Sequence, residues 1–248
     1  MPPVIREWLD DVLVATGFLT RVPVPHRDVA LARAYRAFPL VGAVIGATIG
    51  AIDLLLLRIG VPAIAAAALA LGAGALLTGA LHEDGLADVA DGFGGGSDKA
   101  AKLEIMRDSR LGSYGVLTLL IAFVARVGAL AALPRPDVML GLLATHALAR
   151  APLAVLAANM PYARDGLAAS AGRPDARIAS TACLVAALIA CLALPLASAA
   201  TAVIITAAAA AALAGLAQRQ IGGQTGDALG AAEQVCELAV LLTLAARA

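Results

Sequence analysis

The sequence predicts an all-α fold: a polytopic membrane bundle of about seven transmembrane helices, preceded by an amphipathic N-terminal helix. Three observations carry this. Hydrophobic residues make up 61% of the 248 positions and charged residues only 15%, against about a quarter in a soluble domain. The apolar residues come in runs of bilayer length, not in stripes. Positive charge falls almost entirely into alternate inter-run segments. An alanine-rich soluble helical array is the competing reading, and the length of the runs argues against it. Net charge is zero, which gives no field for nucleic acid. No soluble appendage or internal repeat interrupts the pattern, so residues 1–248 read as a single integral-membrane domain.

Each element has its own signal. In residues 4–19, Ile5, Trp8, Leu9, Val12 and Leu13 share one helical face, while Arg6, Glu7, Asp10 and Asp11 lie elsewhere. This suits a helix at the membrane interface, anchored by Trp8, or one packed on the bundle. The early acids also argue against a signal peptide. Seven stretches then reach spanning length: 38–57, 61–81, 111–133, 138–158, 178–197, 199–217 and 228–246. "RIGVP", "PRPD" and "LPLAS" supply tight turns between neighbours. Cys183, Cys191 and Cys236 sit inside apolar runs and suggest no disulfide framework. Of the 18 Lys and Arg, 13 fall in the N-terminal segment and in loops 82–110, 159–177 and 218–227. Three fall on the other side, and Arg126 and Arg150 lie within spans. The bias predicts a cytoplasmic N terminus, a periplasmic C terminus and motif-bearing loops facing the cytoplasm.

The chemistry concentrates in "LHEDGLADVADGFGGG", residues 81–96, read as the cytoplasmic continuation of the second span. At 100° per residue, Asp88 lies about 40° from Asp84, and Asp91 about 20° to its other side. Three carboxylates on one narrow face repel unless a cation sits among them. Such hard oxygen donors suit Mg²⁺ or Mn²⁺ with phosphate oxygens completing the shell. His82 stands beside them. Gly92, Gly94, Gly95 and Gly96 could bring backbone N–H groups close to an anion. In "EIMRDSRLGSYG", Arg107 and Arg110 flank Asp108 and could clamp phosphates.

"GGQTGDALGAAEQVCE" opens the last span with Asp227, and places Glu233 and Glu237 within it on one face. Intramembrane acids usually face a cavity or a partner, and pairing with Arg126 or Arg150 is the structural alternative. His146 and Arg150 face together in the fourth span. Asp53 and Arg126, at similar depth, read as a structural ion pair. His26, beside prolines, reads as a surface residue.

"FLTRVPVP" (18–25), "FPLVG" (38–42), "LHEDGLADVADG" (81–92), "EIMRDSRLGSYG" (104–115) and "GGQTGDALGAAEQVCE" (222–237) together resemble the cobalamin synthase family, the adenosylcobinamide-GDP ribazoletransferases. Where that family usually has an apolar residue between the His and the first Asp, this chain has Glu83.

The resemblance implies a multi-pass bacterial inner-membrane enzyme that joins adenosylcobinamide-GDP to α-ribazole, or its 5′-phosphate, and releases GMP with Mg²⁺. On that reading Asp84, Asp88, Asp91 and Asp227 hold one or two Mg²⁺ (or Mn²⁺) ions, and His82 joins them in catalysis. Glu233 and Glu237 either complete the shell, serve as base or contact substrate. Arg107, Asp108, Arg110, Gly94, Gly95, Arg150 and Thr225 are the remaining substrate contacts. A homo-oligomer is compatible with all of this. "DVADG" also echoes CDP-alcohol phosphotransferases, an analogy of fold level. An ion-coupled transporter would place its acids near the midplane on several helices. A prenyltransferase would want paired DDxxD-like clusters and an aromatic-lined tunnel.

Overall fold

A computed structural model describes residues 3–247. Helix α1 (Pro3–Leu19) carries the N-terminal amphipathic pattern and is bound to the segment that follows it. Asp11, fully buried, accepts from Arg33 Nε at 2.7 Å and Arg36 Nε at 2.6 Å. The Arg36 guanidinium also lies 4.5 Å from the centre of the Trp8 ring, a cation–π contact. Val4, Ile5 and Leu9 remain exposed along the outer side of α1. The chain then passes through α2 (Leu31–Ala34) and a 3-10 turn (Tyr35–Ala37) into α3 (Phe38–Arg58).

Helices α4 (Ala63–Thr78) and α5 (Leu81–Gly95) follow, then the short α6 (Lys99–Ile105) and α7 (Ser113–Ala132). Next come α8 (Arg135–Asn159), the short α9 (Leu167–Ala171), α10 (Ala176–Ala193), α11 (Leu196–Ile221) and α12 (Gly226–Ala245). Among the described residues there is no β-strand, only an isolated bridge from Tyr162 to Gln224. Among the described residues six helices are long and apolar enough to cross a membrane, and α4 with α5 forms either a seventh, broken span or a re-entrant loop. The protein is therefore an all-α polytopic bundle. Its outward surfaces are aliphatic: Leu184, Leu188 and Leu192, four apart on α10, are each at least 60% exposed. Spacing of four puts them on one face turned to lipid.

Helices α8 and α12 are the most buried of the candidate spans. α3 meets α8 through Gly42, Gly46 and Gly50. A methyl group at Gly46 would lie 2.2 Å from the Leu142 carbonyl oxygen, and one at Gly42 2.4 Å from that of His146. Small residues at every fourth position allow this backbone-to-backbone approach.

The break between α4 and α5 departs from the sequence expectation of a straight continuation. The two helices meet at 93°. Gly79 closes α4 in the left-handed region (φ 69°) and Ala80 follows in the same region (φ 55°). Two hydrogen bonds seal this end: Gly79 N to Leu76 O at 3.3 Å and Ala80 N to Ala75 O at 2.8 Å. The Arg21 amide adds a third on the Leu77 carbonyl at 2.7 Å, so the "FLTRVPVP" segment braces the corner.

Candidate active site

The corner brings α5 against α12 and α7. A cavity of about 260 Å³ lies between α5, α12, α8, the end of α1 and the start of α3. Its charged wall is His82 and Asp84 from α5, Asp227 from the first turn of α12, and Arg164 from the α8–α9 loop. Thr225 caps α12, its hydroxyl accepting from the Ala228 amide at 3.1 Å and meeting Asp227 Oδ2 at 3.2 Å. Arg164 Nη2 donates to Asp227 Oδ2 at 2.6 Å, and its Nη1 is held by the Leu103 carbonyl at 2.8 Å. Asp88, one turn beyond Asp84, is within electrostatic reach of Asp84, Asp91 and Asp227, with Arg164 as the opposing charge.

Three carboxylates, Asp84, Asp88 and Asp227, thus share one neighbouring guanidinium. The donor set is all oxygen and anionic, the type a hard divalent cation requires. Among the described residues, however, the group of three whose donor atoms all lie within 4.8 Å of one another is His146, Glu233 and Glu237, not these aspartates.

Asp91 does something different from its helical neighbours. It is buried, and its oxygens accept from the Gly112 amide at 2.7 Å and the Gly115 amide at 2.8 Å. It is the cap of α7, supplied by another helix, and negative charge is stabilised at a helix N-terminus. Ideal methyl groups at Gly112 and Gly115 would lie 2.4 Å from its oxygens. Asp91, expected from its helical angle to stand with Asp84 and Asp88, thus has both oxygens engaged by the start of α7.

The glycine run is corrected too. Gly92, Gly94 and Gly95 are the last turns of α5. Gly94 packs under the Tyr114 ring, and Gly92 against Met106 and the Lys102 carbonyl. Their smoothness serves helix packing, and no anion-binding loop forms. Arg107, Asp108 and Arg110 lie beyond α6 and do not line the cavity. Arg110 is 88% exposed and paired with Asp108, whose carboxyl it holds down at about 2 by side-chain and backbone hydrogen bonds.

Arg150, Glu233 and Glu237 are not part of the cavity wall either; they form a second, buried cluster beside it. Glu233 meets Arg150 Nη1 at 2.7 Å and His82 Nδ1 at 3.2 Å, and accepts from Gln234 Nε2 at 2.9 Å. Glu237 meets Arg126 Nη1 at 3.0 Å and His146 Nδ1 at 3.1 Å. Glu83 lies 3.8 Å from Arg126. Arg126 thus serves Glu237 and Glu83, and the expected Asp53–Arg126 pair does not form. Donor atoms of His146, Glu233 and Glu237 come within 4.8 Å of one another, as in a metal site. Two arginines already supply their counter-charge. His82 borders both regions and joins them.

Sequence reasoning missed Arg164, whose only signal was its share of the cytoplasmic positive charge. It also missed Phe18, Tyr35 and Phe38 as cavity residues, although Phe18 and Phe38 each open a motif.

Fold and cavity define a multi-pass membrane protein with an internal cavity walled on one side by His82, Asp84, Asp227 and Arg164 and on the other by apolar and aromatic side chains. The particular family is Cobalamin-5-phosphate synthase: its model matches residues 11–245, and the chain belongs to it. An adenosylcobinamide-GDP ribazoletransferase of Bradyrhizobium diazoefficiens is 47% identical, over 98% of this chain and 95% of that protein. Proteins of the same name from Sinorhizobium medicae and Rhizobium meliloti are 44% and 43% identical, each over 97% of this chain and 98% of the relative. No solved structure matches the chain.

Proposed function

We propose that this protein is a transferase of cobalamin assembly. It joins adenosylcobinamide-GDP to α-ribazole or its 5′-phosphate, in line with the names of its relatives, and on this reading GMP is the leaving group. The carrying observation is that two distant segments, α5 and the start of α12, bring Asp84 and Asp227 to one cavity with Asp88 beside them.

Asp84, Asp88 and Asp227 are the residues that would hold Mg²⁺, or Mn²⁺ in its place. The ion's chemistry is to neutralise charge on the diphosphate and on the departing phosphate. The protein's own groups do the rest. Arg164 orients Asp227 through its 2.6 Å bond. Asp91 fixes α5 against the start of α7. His82, its Nδ1 engaged by Glu233, keeps Nε2 to take the proton of the attacking ribazole hydroxyl. A hydroxyl oxygen then bonds to the cobinamide-linked phosphorus, and the bond to GMP breaks.

The 13-to-3 division of positive charge supports a cytoplasmic site in a bacterial inner membrane, with residues 1–248 acting as one domain. Purified protein in detergent, given both substrates and a Mg²⁺ titration, should release GMP in step with corrinoid product. Absence of GMP at every Mg²⁺ and Mn²⁺ concentration would refute the reading.

A further inference from the structure

The chain has only eight aromatic side chains, and three of them, Phe18, Tyr35 and Phe38, line the one cavity that also holds Asp84, Asp227 and Arg164. They touch one another. Phe18 and Phe38 stack with ring centres 5.7 Å apart and planes 18° apart. Tyr35 lies 4.5 Å from Phe38 at 31°. They come from two elements brought together for this contact, the end of α1 and the turn into α3. Tyr35 and Phe38 belong to the buried core and Phe18 packs against it, while all three also border the cavity.

We propose that this aromatic wall seats the planar base of α-ribazole, which makes Phe18, Tyr35 and Phe38 specificity-determining residues for the nucleoside substrate. The inference rests on the transferase reading and adds which substrate occupies which wall. Ring faces bind flat bicyclic bases by stacking without requiring edge hydrogen bonds. A benzimidazole has an apolar outer edge, which suits a wall continued by Leu81, Leu153 and Leu229. Guanine is the other base in the reaction, but its edge carries donors and acceptors that would be stranded against these side chains. A corrin macrocycle is too large for a cavity of about 260 Å³ and stays outside it. With the base on the rings, the ribose hydroxyls fall in the same cavity as His82 and the carboxylates, where the attacking oxygen is needed.

The test is calorimetric titration of α-ribazole into the full-length protein in nanodiscs, beside steady-state GMP release. Phe18→Leu should weaken α-ribazole binding about tenfold, in the range of one lost stacking partner. Its KM for α-ribazole should rise alike, with the KM for adenosylcobinamide-GDP unchanged. Phe18→Tyr, which returns a ring, should restore binding. Monodisperse elution and a wild-type circular dichroism spectrum establish that each variant is folded. A riboside of single-ring imidazole should bind more weakly than α-ribazole to the wild type. The proposal is overturned if folded Phe18→Leu binds α-ribazole as the wild type does, or if GMP displaces α-ribazole while the corrinoid KM takes the loss. Wild-type protein that binds α-ribazole through Phe18 yet releases no GMP would refute the transferase reading and uphold the seat.

Discussion

Two acidic regions lie side by side in this molecule, sharing His82, and they differ in how their charge is answered. The buried cluster sets three glutamates, Glu83, Glu233 and Glu237, against Arg126, Arg150 and two histidines, with contacts of 2.7 to 3.2 Å around Glu233 and Glu237. The cavity sets Asp84 and Asp227, with Asp88 beside them, against Arg164. In the buried cluster two arginines answer three glutamates; by the cavity one arginine answers three aspartates. The region left more anionic has the stronger standing attraction for a cation. Residue type alone does not distinguish the two regions; the number of guanidinium groups beside the acids does.

The sharpest way to break this contrast is to neutralise one acid in each region. Asp84→Asn or Asp227→Asn keeps the size and removes an anionic donor. GMP release should fall about a thousandfold, equivalent to about 4 kcal/mol, with the protein still folded. Near-normal turnover at low Mg²⁺ in both variants would end the comparison. In the buried cluster the loss should appear as instability. Glu233→Gln strands Arg150 in an apolar interior, which typically costs about 3–5 kcal/mol. Thermal unfolding in detergent should show it, and Glu233→Gln with Arg150→Met should recover much of the loss.

Smaller effects sharpen the contrast further. Asp91→Asn removes a charged cap from α7 and should destabilise by about 1–2 kcal/mol in denaturant titrations. The remaining turnover should keep the wild-type Mg²⁺ dependence, whereas a shifted Mg²⁺ midpoint would return Asp91 to the metal shell. Asp108→Asn should be the mildest of all. Asp108 is held ionised down to about pH 2 by exposed Arg110, so its contribution is fully present above the ordinary carboxylate range and fades only as pH falls towards that value. GMP release by Asp108→Asn should match the wild type across pH 6–8.

The spans were legible because bilayer thickness demands run length, and each run became a helix or the broken α4–α5 pair. Asp84, Asp88 and Asp227 stood out in the sequence as acids beside apolar runs, and the fold brings them near one another. Other features depended on neighbours that sequence spacing does not reveal. Depth along a span suggested Asp53 for Arg126, but depth says nothing of azimuth, and Arg126 faces α12 and α5. Helical angle placed Asp91 with Asp84 and Asp88, but α7 begins where Asp91 can satisfy its free amides. Arg164 looked like one more cytoplasmic charge until the α8–α9 loop folded back onto α12. The glycines after Asp91 had the composition of a flexible loop, and only Tyr114 and Met106 explain why a helix wants them.

The glycine seam between α3 and α8 acts as a ruler. With Gly42, Gly46 and Gly50 spaced by four, the two helices can slide past each other only in steps of four residues, about 6 Å along the axis. Any smaller slip drives a side chain of α3 into a carbonyl of α8. One full step would carry His146 and Arg150 off Glu237 and Glu233 together. Docking of this pair is therefore digital: both ion contacts form at the right notch, and at any other notch neither does.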